Sequence, residues 1–247
     1  MSVLVTGASR GIGRSIALHL AETHDVGVQY HTSADAAATV VAEAEQKGAT
    51  AVDLQADVRD STAVDDLLAE AADALSGLDA VVNNAGIIRP APITDLSDED
   101  WQEVIETNLT GAFYVARAAV PYLRENDEPG GDIISISSIG GTGGTVDTSY
   151  AASKAGLHGL TRALAREVGP DNIQANAIAP GPVTTEMNDE IVAYLEEIEF
   201  HGHENIDTHL PTYACDPAEI AGTVEYLLKN QHIHGEIINV NGGMQFQ

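Results

Sequence analysis

Residues 3–13 read Val-Leu-Val-Thr-Gly-Ala-Ser-Arg-Gly-Ile-Gly, an apolar run that passes directly into a glycine-rich turn. Beyond the turn, the apolar residues of Gly11–Glu22 recur at helical spacing. Glycines between a strand and a helix allow a tight turn and close packing of the two elements. The beginning of the chain therefore predicts a strand–turn–helix unit.

The same alternation continues along the chain and predicts the fold class. Strands are predicted at Val3–Thr6, Val26–Tyr30, Ala51–Gln55, Ala80–Asn83, Asp132–Ser137, Ile173–Ala179 and Glu236–Val240. Helices are predicted at Gly11–Glu22, Ala34–Lys47, Ala63–Leu75, Glu99–Arg124, Tyr150–Glu167 and Pro217–Lys229. Such alternation favours βαβ units and a parallel sheet buried on both faces. We expect one α/β domain over residues 1–247, a Rossmann-type doubly wound parallel sheet of about seven strands with helices on both faces.

Charge is the most unusual property of the chain. Its 247 residues carry 38 acids and 11 bases, a formal net charge of −27. Such a surface repels nucleic-acid phosphates, so we expect no nucleic-acid partner. Like charge also strains a compact fold, except in molar salt, where the screening length falls to about 3 Å. The composition therefore predicts a halophilic protein in a salt-loaded cytoplasm.

Cysteine content and hydropathy narrow the class further. The single cysteine, Cys215, excludes an intramolecular disulfide framework and a thiolate-only metal site. No apolar run approaches the ~20 residues of a membrane span, and no basic leader precedes the first strand. We therefore expect a cytoplasmic protein with no membrane partner.

The glycine turn is also a candidate nucleotide site. Gly7, Gly11 and Gly13 permit close approach of a pyrophosphate, and the following helix N-terminus offers free N–H groups and partial positive charge. Their GxxxGxG spacing differs from the general GxGxxG fingerprint. The alternative is that the glycines form only a turn, but their position between strand and helix favours nucleotide binding.

The end of the second strand indicates which nucleotide is bound. An NAD site normally has an acid there for the ribose 2′-OH, whereas this chain reads Gln29-Tyr-His-Thr-Ser33. Ser9 and Arg10 in the glycine turn, with His31, Thr32 and Ser33, suit a 2′-phosphate instead. The alternative is that Arg10 and His31 are ordinary solvated residues. We predict NADP(H) as the cofactor.

Tyr150 and Lys154 form the candidate catalytic pair. They are four residues apart in a predicted helix and so share one face. An ammonium group beside a phenol stabilises phenolate and lowers the tyrosine pKa from about 10, as a general acid for carbonyl reduction requires. Ser137 and Ser138 follow a predicted buried strand, where a hydroxyl could donate to a carbonyl oxygen. Taken singly, these are also ordinary surface and loop residues.

Together, these motifs resemble the short-chain dehydrogenase/reductase family over almost the whole chain. The resemblance also includes Asp57-Val58, Asn83-Asn-Ala-Gly86, Asn108 and Pro180-Gly-Pro-Val-Thr-Thr185. It implies that hydride passes from NADPH to a carbonyl carbon while Tyr150 protonates the oxygen. Lys154 would bind the nicotinamide ribose and tune Tyr150, and Asn108 would hold a water in a proton relay. The family pattern selects Ser138, not Ser137, to orient the carbonyl.

The resemblance thus assigns two sets of residues. The implied catalytic residues are Asn108, Ser138, Tyr150 and Lys154. The implied cofactor-binding residues are Gly7, Ser9, Arg10, Gly11, Ile12, Gly13, His31, Thr32, Ser33, Asp57, Val58, Asn84, Ala85, Gly86, Tyr150, Lys154, Pro180, Gly181, Val183 and Thr185.

Four runs are similar to 3-oxoacyl thioester reductases, meaning 3-oxoacyl-acyl-carrier-protein reductase and acetoacetyl-CoA reductase. They are Val28-Gln-Tyr-His-Thr-Ser, Ile87-Ile-Arg-Pro-Ala-Pro, Asp216-Pro-Ala-Glu-Ile-Ala and Ile238-Asn-Val-Asn-Gly-Gly-Met244. Carrier-protein reductases are expected to have bases near the ends of two active-site helices. This chain has Glu125-Asn-Asp-Glu128 and Gly169-Pro-Asp-Asn172 there. We therefore favour acetoacetyl-CoA, as in hydroxyalkanoate synthesis, over a carrier-protein thioester of fatty-acid synthesis. A sugar, polyol or other secondary-alcohol dehydrogenase is the alternative, followed by a non-catalytic nucleotide-binding regulator.

The segment 183–213 is the predicted substrate lid. Tyr194, Leu195, Phe200 and Leu210 line an acyl pocket or pack on the core. A metal site at His201-Gly-His203, with Glu204 and His209, is a weaker hypothesis, because polar lids gather such residues without binding anything. We predict no metal. The family resemblance also implies a homotetramer formed through two long central helices.

Overall fold

The computed structural model describes residues 1–125, 130–145, 147–198, 210 and 212–245. Its sheet has seven parallel strands in the order β3-β2-β1-β4-β5-β6-β7. The strands are β1 (Ser2–Val5), β2 (Asp25–Tyr30), β3 (Ala51–Gln55), β4 (Ala80–Asn83), β5 (Gly131–Ile136), β6 (Ile173–Pro180) and β7 (Ile237–Val240). The predicted α/β class and the parallel sheet are confirmed.

The described helices lie on both faces of this sheet. They are α1 (Gly11–Leu20), α2 (Ala34–Gln46), α3 (Ser61–Ala74), α4 (Asp98–Ile105), α5 (Gly111–Arg124), α6 (Gly140–Gly143), α7 (Thr148–Val168), α8 (Glu186–Glu197) and α9 (Pro217–Lys229). The first strand separates two apolar clusters, because successive side chains of a strand point to opposite faces. Val3 and Val5 pack with Ile16 of α1, whereas Leu4 packs with Leu68 of α3 and Val115 of α5.

The strand order positions a crevice at the carboxyl edge of the sheet. β1 pairs with β2 on one side and β4 on the other, so that Val5 lies opposite both Val28 and Val82. The second and third strands therefore extend the sheet on one side of β1, and the last four strands extend it on the other side. In doubly wound folds, ligands bind at such a switch point, outside the carboxyl ends of the strands.

Two helices begin two residues earlier than their apolar spacing predicts. α3 begins at Ser61 and α7 at Thr148, two residues before the predicted starts. In each case an aspartate provides the N-cap: Asp60 accepts from the N–H groups of Thr62 and Ala63, and Asp147 accepts from that of Tyr150. Capping by a polar side chain extends a helix beyond its apolar stripe.

The predicted helix over Glu99–Arg124 is helical throughout, but it is not α-helical along its whole length. A π-helical turn at Glu106–Thr110 separates α4 from α5. Apolar spacing alone does not reveal a local change from i→i+4 to i→i+5 hydrogen bonding. The turn carries Asn108, one of the predicted catalytic residues.

The described part of the predicted lid consists mainly of α8. Val183, at the start of the segment, forms an isolated parallel bridge with Cys215 just beyond its end. Phe200 and the histidine-rich residues His201, His203, Glu204 and His209 lie outside the described residues. Among the described helices, none is long and apolar enough to cross a membrane.

Candidate active site

A cleft of about 1180 Å³ opens at the carboxyl edge of the sheet. Its walls come from the turns after β1, β2, β3 and β4, the loop after β5, the start of α7, the end of β6, and α8. Apart from Gly13 and Asn108, all the residues predicted for catalysis or cofactor binding line this cleft. Gly13 and Asn108 are buried behind its wall.

The turn after β1 is built from glycines because side chains would not fit. Gly7 adopts φ +62°, and a Cβ there would lie 2.9 Å from Ala85 Cα. A Cβ on Gly13 would collide with the Gly7 carbonyl oxygen and the Asn84 amide nitrogen. Gly11 has φ +56° and its open side faces Thr185. The glycines therefore bring the turns after β1 and β4 into direct contact.

Polar side chains tie these turns together. Thr6 Oγ1 accepts hydrogen bonds from the N–H groups of Asn84 and Ala85, at 3.0 Å each. The Gln29 amide accepts from the Gly7 N–H at 2.8 Å and donates to the Ala56 carbonyl at 2.8 Å. Gln29 is buried, and sequence reasoning assigned it no role. The signal was an amide inside the otherwise apolar run of β2.

The residues at this end of the cleft fit a dinucleotide. The N-cap of α1 is Arg10, in an extended conformation with no side-chain capping bond, and the first turn contains no acid. The free N–H groups at the start of α1 are therefore available to phosphate oxygens. A side chain at Gly7 or Gly13 would fill the cradle. The cleft is also larger than most pockets for a single small molecule, roughly 300–1,000 Å³.

The outer end of the cleft has little uncompensated acid. No acid ends β2, and His31, Thr32 and Ser33 line the wall there. The Asp57 carboxylate accepts two hydrogen bonds from Arg59 Nε, both at 3.0 Å, and one from Nη2 at 2.7 Å, and this guanidinium lowers its pKa. The exposed guanidinium of Arg10 lies 3.5 Å from the Glu186 carboxylate.

The structure separates the roles of the two adjacent serines. The Ser138 hydroxyl lies close enough to the Tyr150 phenol to oppose the rise of its pKa, and the Ser138 Oγ accepts from the Gly140 N–H at 3.0 Å. The buried Ser137 Oγ instead donates to the Lys154 carbonyl at 3.0 Å and lies 2.8 Å from His158 Nε2. Ser138 is therefore the serine positioned beside the tyrosine.

The Lys154 ammonium is hydrogen-bonded to the main chain beside the Tyr150 ring, and its predicted roles in binding the ribose and tuning Tyr150 stay predictions. Its Nζ donates to the Ile136 carbonyl at 2.8 Å and lies 5.5 Å from the centroid of the Tyr150 ring. Burial lowers the pKa of Lys154 to about 8. Burial also raises the pKa of Tyr150 to about 12, although the Ser138 hydrogen bond opposes that rise. Desolvation therefore dominates, and the phenol is held in its protonated form at neutral pH.

The side chain of Asn108 is buried behind the cleft wall and is hydrogen-bonded to residues next to the predicted catalytic ones. Its Oδ1 accepts from the Ile87 N–H at 2.8 Å, and its Nδ2 donates to the Ile87 carbonyl at 3.0 Å and to Ser153 Oγ at 3.1 Å. A Cβ on Gly86 would lie 3.4 Å from both Asn108 Oδ1 and Lys154 Nζ. The side chain thus clamps the backbone that passes between Asn108 and Lys154. Its role in a proton relay remains a prediction.

The lid contributes to the cleft through α8. Among the predicted pocket residues, Leu195 lines the cleft, whereas Tyr194 is absent from its lining and Leu210 is exposed. No group of three or more histidine, cysteine, aspartate or glutamate side chains suited to a metal occurs among the described residues. The predicted absence of a metal remains a prediction.

Comparisons with known proteins agree with this geometry. The family model for short chain dehydrogenases matches residues 1–195. The chain therefore belongs to the short-chain dehydrogenase/reductase family, and it is an oxidoreductase acting on CH–OH groups that uses a nicotinamide cofactor.

The chain is also similar to individual proteins over almost its whole length. A 3-oxoacyl-[acyl-carrier-protein] reductase of Staphylococcus aureus is 40% identical over 248 residues, covering 98% of this chain and 97% of the relative. One from Synechocystis is 38% identical over 247 residues, covering 98% and 95%. The solved structure of a dehydrogenase/reductase from Sinorhizobium meliloti 1021 has a TM-score of 0.87 and 36% identity, covering 99% of this chain and 95% of that chain.

Proposed function

We propose that this protein reduces a 3-oxoacyl thioester to the 3-hydroxyacyl thioester with NADPH. One observation carries the proposal: Tyr150, Ser138 and buried Lys154 line one cleft, together with the glycine cradle. The names and identity of the carrier-protein reductases support the thioester as the substrate class.

A bound nicotinamide would supply the hydride, and the side chains of the site would stabilise the charge on the carbonyl oxygen. Ser138 Oγ already accepts from the Gly140 N–H, so its own proton is available for a donated hydrogen bond. Tyr150 donates its proton to the oxygen as negative charge develops there. The phenolate left behind is stabilised by the nearby Lys154 ammonium.

The cofactor is proposed to be NADPH, because the outer cleft offers a base and hydroxyls but no acid at the end of β2. Arg10 is the most direct candidate for the 2′-phosphate. We expect Arg10→Ala to weaken NADPH binding about tenfold and leave NADH binding unchanged, as measured by calorimetric titration. Equal losses for both cofactors would contradict the assignment.

We further propose that the thioester is carried by CoA, with acetoacetyl-CoA as the first candidate. The guanidinium of Arg124, at the end of α5, is bound by Asp171 at 2.8 and 2.6 Å. It is therefore compensated before any acidic carrier arrives, and Glu125 adds negative charge beside it. This favours CoA in hydroxyalkanoate synthesis over a carrier protein in fatty-acid synthesis.

The direct test is NADPH oxidation in molar KCl with acetoacetyl-CoA and, in parallel, acetoacetyl-carrier protein. We expect turnover with CoA that falls about 10²–10⁴-fold in Tyr150→Phe, while NADPH binding is unchanged. Turnover only with the carrier protein would reverse the carrier assignment. Oxidation of a sugar or polyol without thioester turnover would overturn the substrate class.

Two further properties complete the proposal. The working medium is a salt-loaded cytoplasm, because a charge of −27 requires strong screening. We expect the melting temperature to rise between low and molar KCl, and a flat response would contradict this.

The assembly is a homotetramer through α5 and α7, supported by the exposed Phe113 on α5, over which Arg117 stacks at 5.3 Å. Light scattering in molar KCl tests the mass.

The proposed domain is the whole chain, with residues 183–213 as its substrate lid. Ile191 and Leu195 of α8 line the cleft and provide apolar surface on that side. Exchange of Leu195 for alanine should raise KM for acetoacetyl-CoA more than it lowers kcat. An unchanged KM would contradict a lid role for α8.

A further inference from the structure

Arg59 lines the outer end of the cleft and contacts acids on two different elements. Its Nε donates to both carboxylate oxygens of Asp57 at 3.0 Å, and its Nη2 donates to Asp57 Oδ2 at 2.7 Å. The Arg59 N–H also donates to Asp57 Oδ1 at 3.0 Å. The remaining nitrogen, Nη1, lies 3.6 Å from the carboxylate of Glu103 on α4. Every nitrogen of this guanidinium therefore faces a carboxylate of the protein itself.

The two carboxylates differ in how many cations compensate them. Glu103 Oε2 also accepts from Arg89 Nε at 2.9 Å and from Arg89 Nη2 at 2.8 Å, so a second guanidinium is bonded to it. Among the described residues, Arg59 is the only arginine or lysine within ion-pair distance of Asp57. The side chains of Asp57 and Arg59 are 28% and 33% exposed, so water compensates the pair only in part. Removal of Arg59 would therefore leave the charge of Asp57 largely uncompensated.

The Asp57 carboxylate lies beside the end of β2, although it comes from the turn after β3. His31 Nε2, at the end of β2, is 3.7 Å from Asp57 Oδ2. The two strand ends are joined, because the Ala56 N–H donates to the Tyr30 carbonyl at 3.0 Å. In dinucleotide-binding folds, an acid in this region accepts from the ribose 2′-OH of NAD, whereas an arginine accommodates the 2′-phosphate of NADP. This chain has both groups there, bonded to each other.

We propose that Arg59 is a specificity-determining residue for the cofactor, which it selects by neutralising Asp57. With Arg59 in place the pair carries no net charge, and the outer end of the cleft accepts the negative charge of a 2′-phosphate. Without Arg59, the Asp57 carboxylate repels that phosphate and is free to accept from the 2′-OH of NADH. Arg59 acts through Asp57, since its guanidinium nitrogens already face carboxylates.

The proposal rests on the proposed use of NADPH, and it predicts a change in cofactor preference. The quantity to measure is the ratio of the NADH dissociation constant to the NADPH dissociation constant. The two cofactors differ only in the 2′-phosphate, so effects on the shared part of the nucleotide cancel in this ratio. The change in the ratio can be measured whichever cofactor the wild type prefers.

A set of variants separates the charge of Arg59 from its other contacts. Arg59→Gln removes the charge, whereas Arg59→Lys keeps the charge and loses the two-nitrogen contact. Arg59→Gln combined with Asp57→Asn makes the pair neutral again. Arg124→Gln is the matched control, because Arg124 also binds an aspartate, Asp171, through two nitrogens, at 2.8 and 2.6 Å. Arg124 does not belong to the cleft lining.

Calorimetric titration gives both dissociation constants, at the lowest KCl concentration that preserves the wild-type circular dichroism spectrum in every variant. We expect Arg59→Gln to lower the ratio about five- to tenfold and Arg124→Gln to leave it unchanged. Arg59→Lys and the double variant should both stay within about twofold of the wild type. In molar KCl the loss in Arg59→Gln should become smaller, because partly exposed charges are screened.

Asp57→Asn alone tests the same charge balance if Arg59→Gln does not fold. It leaves the Arg59 guanidinium without its main partner, so the ratio should rise about threefold or more. An unchanged ratio in this variant would contradict the proposal.

Two results with the Arg59 variants would also overturn it. The first is a ratio in Arg59→Gln equal to that of the wild type. The second is a double variant whose ratio stays as low as that of Arg59→Gln, because Arg59 would then contact the phosphate itself or support the turn. If the wild type binds NADH as tightly as NADPH, the proposed cofactor preference fails, while the change in the ratio still decides the role of Arg59.

Discussion

Asp132 and Asp147 are both buried, but they lie at opposite edges of the sheet. Asp132 is the second residue of β5, at the amino edge of the sheet, and its side chain is buried, with 4% of the residue exposed. Burial alone raises its pKa to about 7, and no described side-chain or backbone donor bonds to its carboxylate. Asp147, at the carboxyl edge, has three donors. Two carboxylates of similar burial thus differ in their hydrogen bonding, because only Asp147 is held by several donors.

The difference comes from the direction of the chain. In a parallel sheet with crossover helices, the helix N-termini and the turns that follow the strands gather at the carboxyl edge. Free N–H groups concentrate there, as in the turn after β1 and at the start of α7. A charge at this edge is retained and available for chemistry, whereas a charge at the amino edge is mainly a burden on stability. Substitutions at the two edges should therefore have different effects.

The largest effect is expected for Gly13→Ala in the carboxyl-edge cradle. Its Cβ would collide with the Gly7 carbonyl and the Asn84 amide, at a cost of about 3 kcal/mol. If the cradle opens to relieve that collision, NADPH binding should weaken roughly 100-fold in calorimetric titration. Gly222→Ala in α9 is the control, because the added Cβ would meet no neighbouring heavy atom within 4 Å. This variant should raise the melting temperature slightly, since alanine favours a helix over glycine. Unchanged NADPH affinity in Gly13→Ala would contradict this account.

The next effect distinguishes the adjacent serines within the carboxyl edge. Ser138→Ala should lower kcat for acetoacetyl-CoA about 10²-fold with little change in stability, because it loses a hydrogen bond to the reacting oxygen. Ser137→Ala should cost about 1–3 kcal/mol in urea unfolding, because it leaves buried partners unpaired. The reverse pattern would show that Ser137 is the reacting serine.

At the amino edge, Asp132→Asn should raise stability without altering turnover. The folded-state pKa of Asp132 is raised from 3.8 to about 7, so the favourable contribution of its protonated form is present below pH 4 and lost as pH rises through 7. The variant should therefore gain about 1–3 kcal/mol over wild type at pH 8 and nothing near pH 4. Urea unfolding at both pH values measures the difference. An equal gain at both would indicate a packing effect instead.

The smallest effect concerns the surface pair of Arg124 and Asp171. Asp171→Asn should change stability by less than about 1 kcal/mol, since exposed ion pairs contribute little. It should also lower KM for acetoacetyl-carrier protein in low salt and leave KM for the CoA substrate unchanged. Equal shifts in both KM values would argue against carrier recognition at this surface.

The sequence was sufficient to predict the architecture because strand and helix periods are local signals. Each predicted strand is present to within one or two residues, and the candidate site residues converge as the motifs indicate. The helix starts at Ser61 and Thr148 depend on capping aspartates, which apolar spacing does not register.

The electrostatics of the site were less predictable. Spacing placed Lys154 beside Tyr150, but it did not indicate that Lys154 Nζ donates to the Ile136 carbonyl. Nor did it reveal that burial dominates the pKa of the phenol. The burial of Asp147 was not predictable either, because a carboxylate in a predicted loop is normally solvated, and the Arg89 N–H that donates to it is distant in sequence. Desolvation is a property of the assembled fold.

The π-helical turn at Glu106–Thr110 limits how this chain can change in length. Each residue of an α-helix advances the helical phase by about 100°. Asn108, which clamps Ile87, and Val115 and Leu123 of α5, which pack in the core, are aligned only with the present number of residues between α4 and α5. Deleting one residue there would rotate either the amide or the apolar stripe away from its partner. We expect insertions and deletions to be tolerated outside the helical segment 98–124, at exposed ends of elements, where they do not rotate one required side chain relative to another.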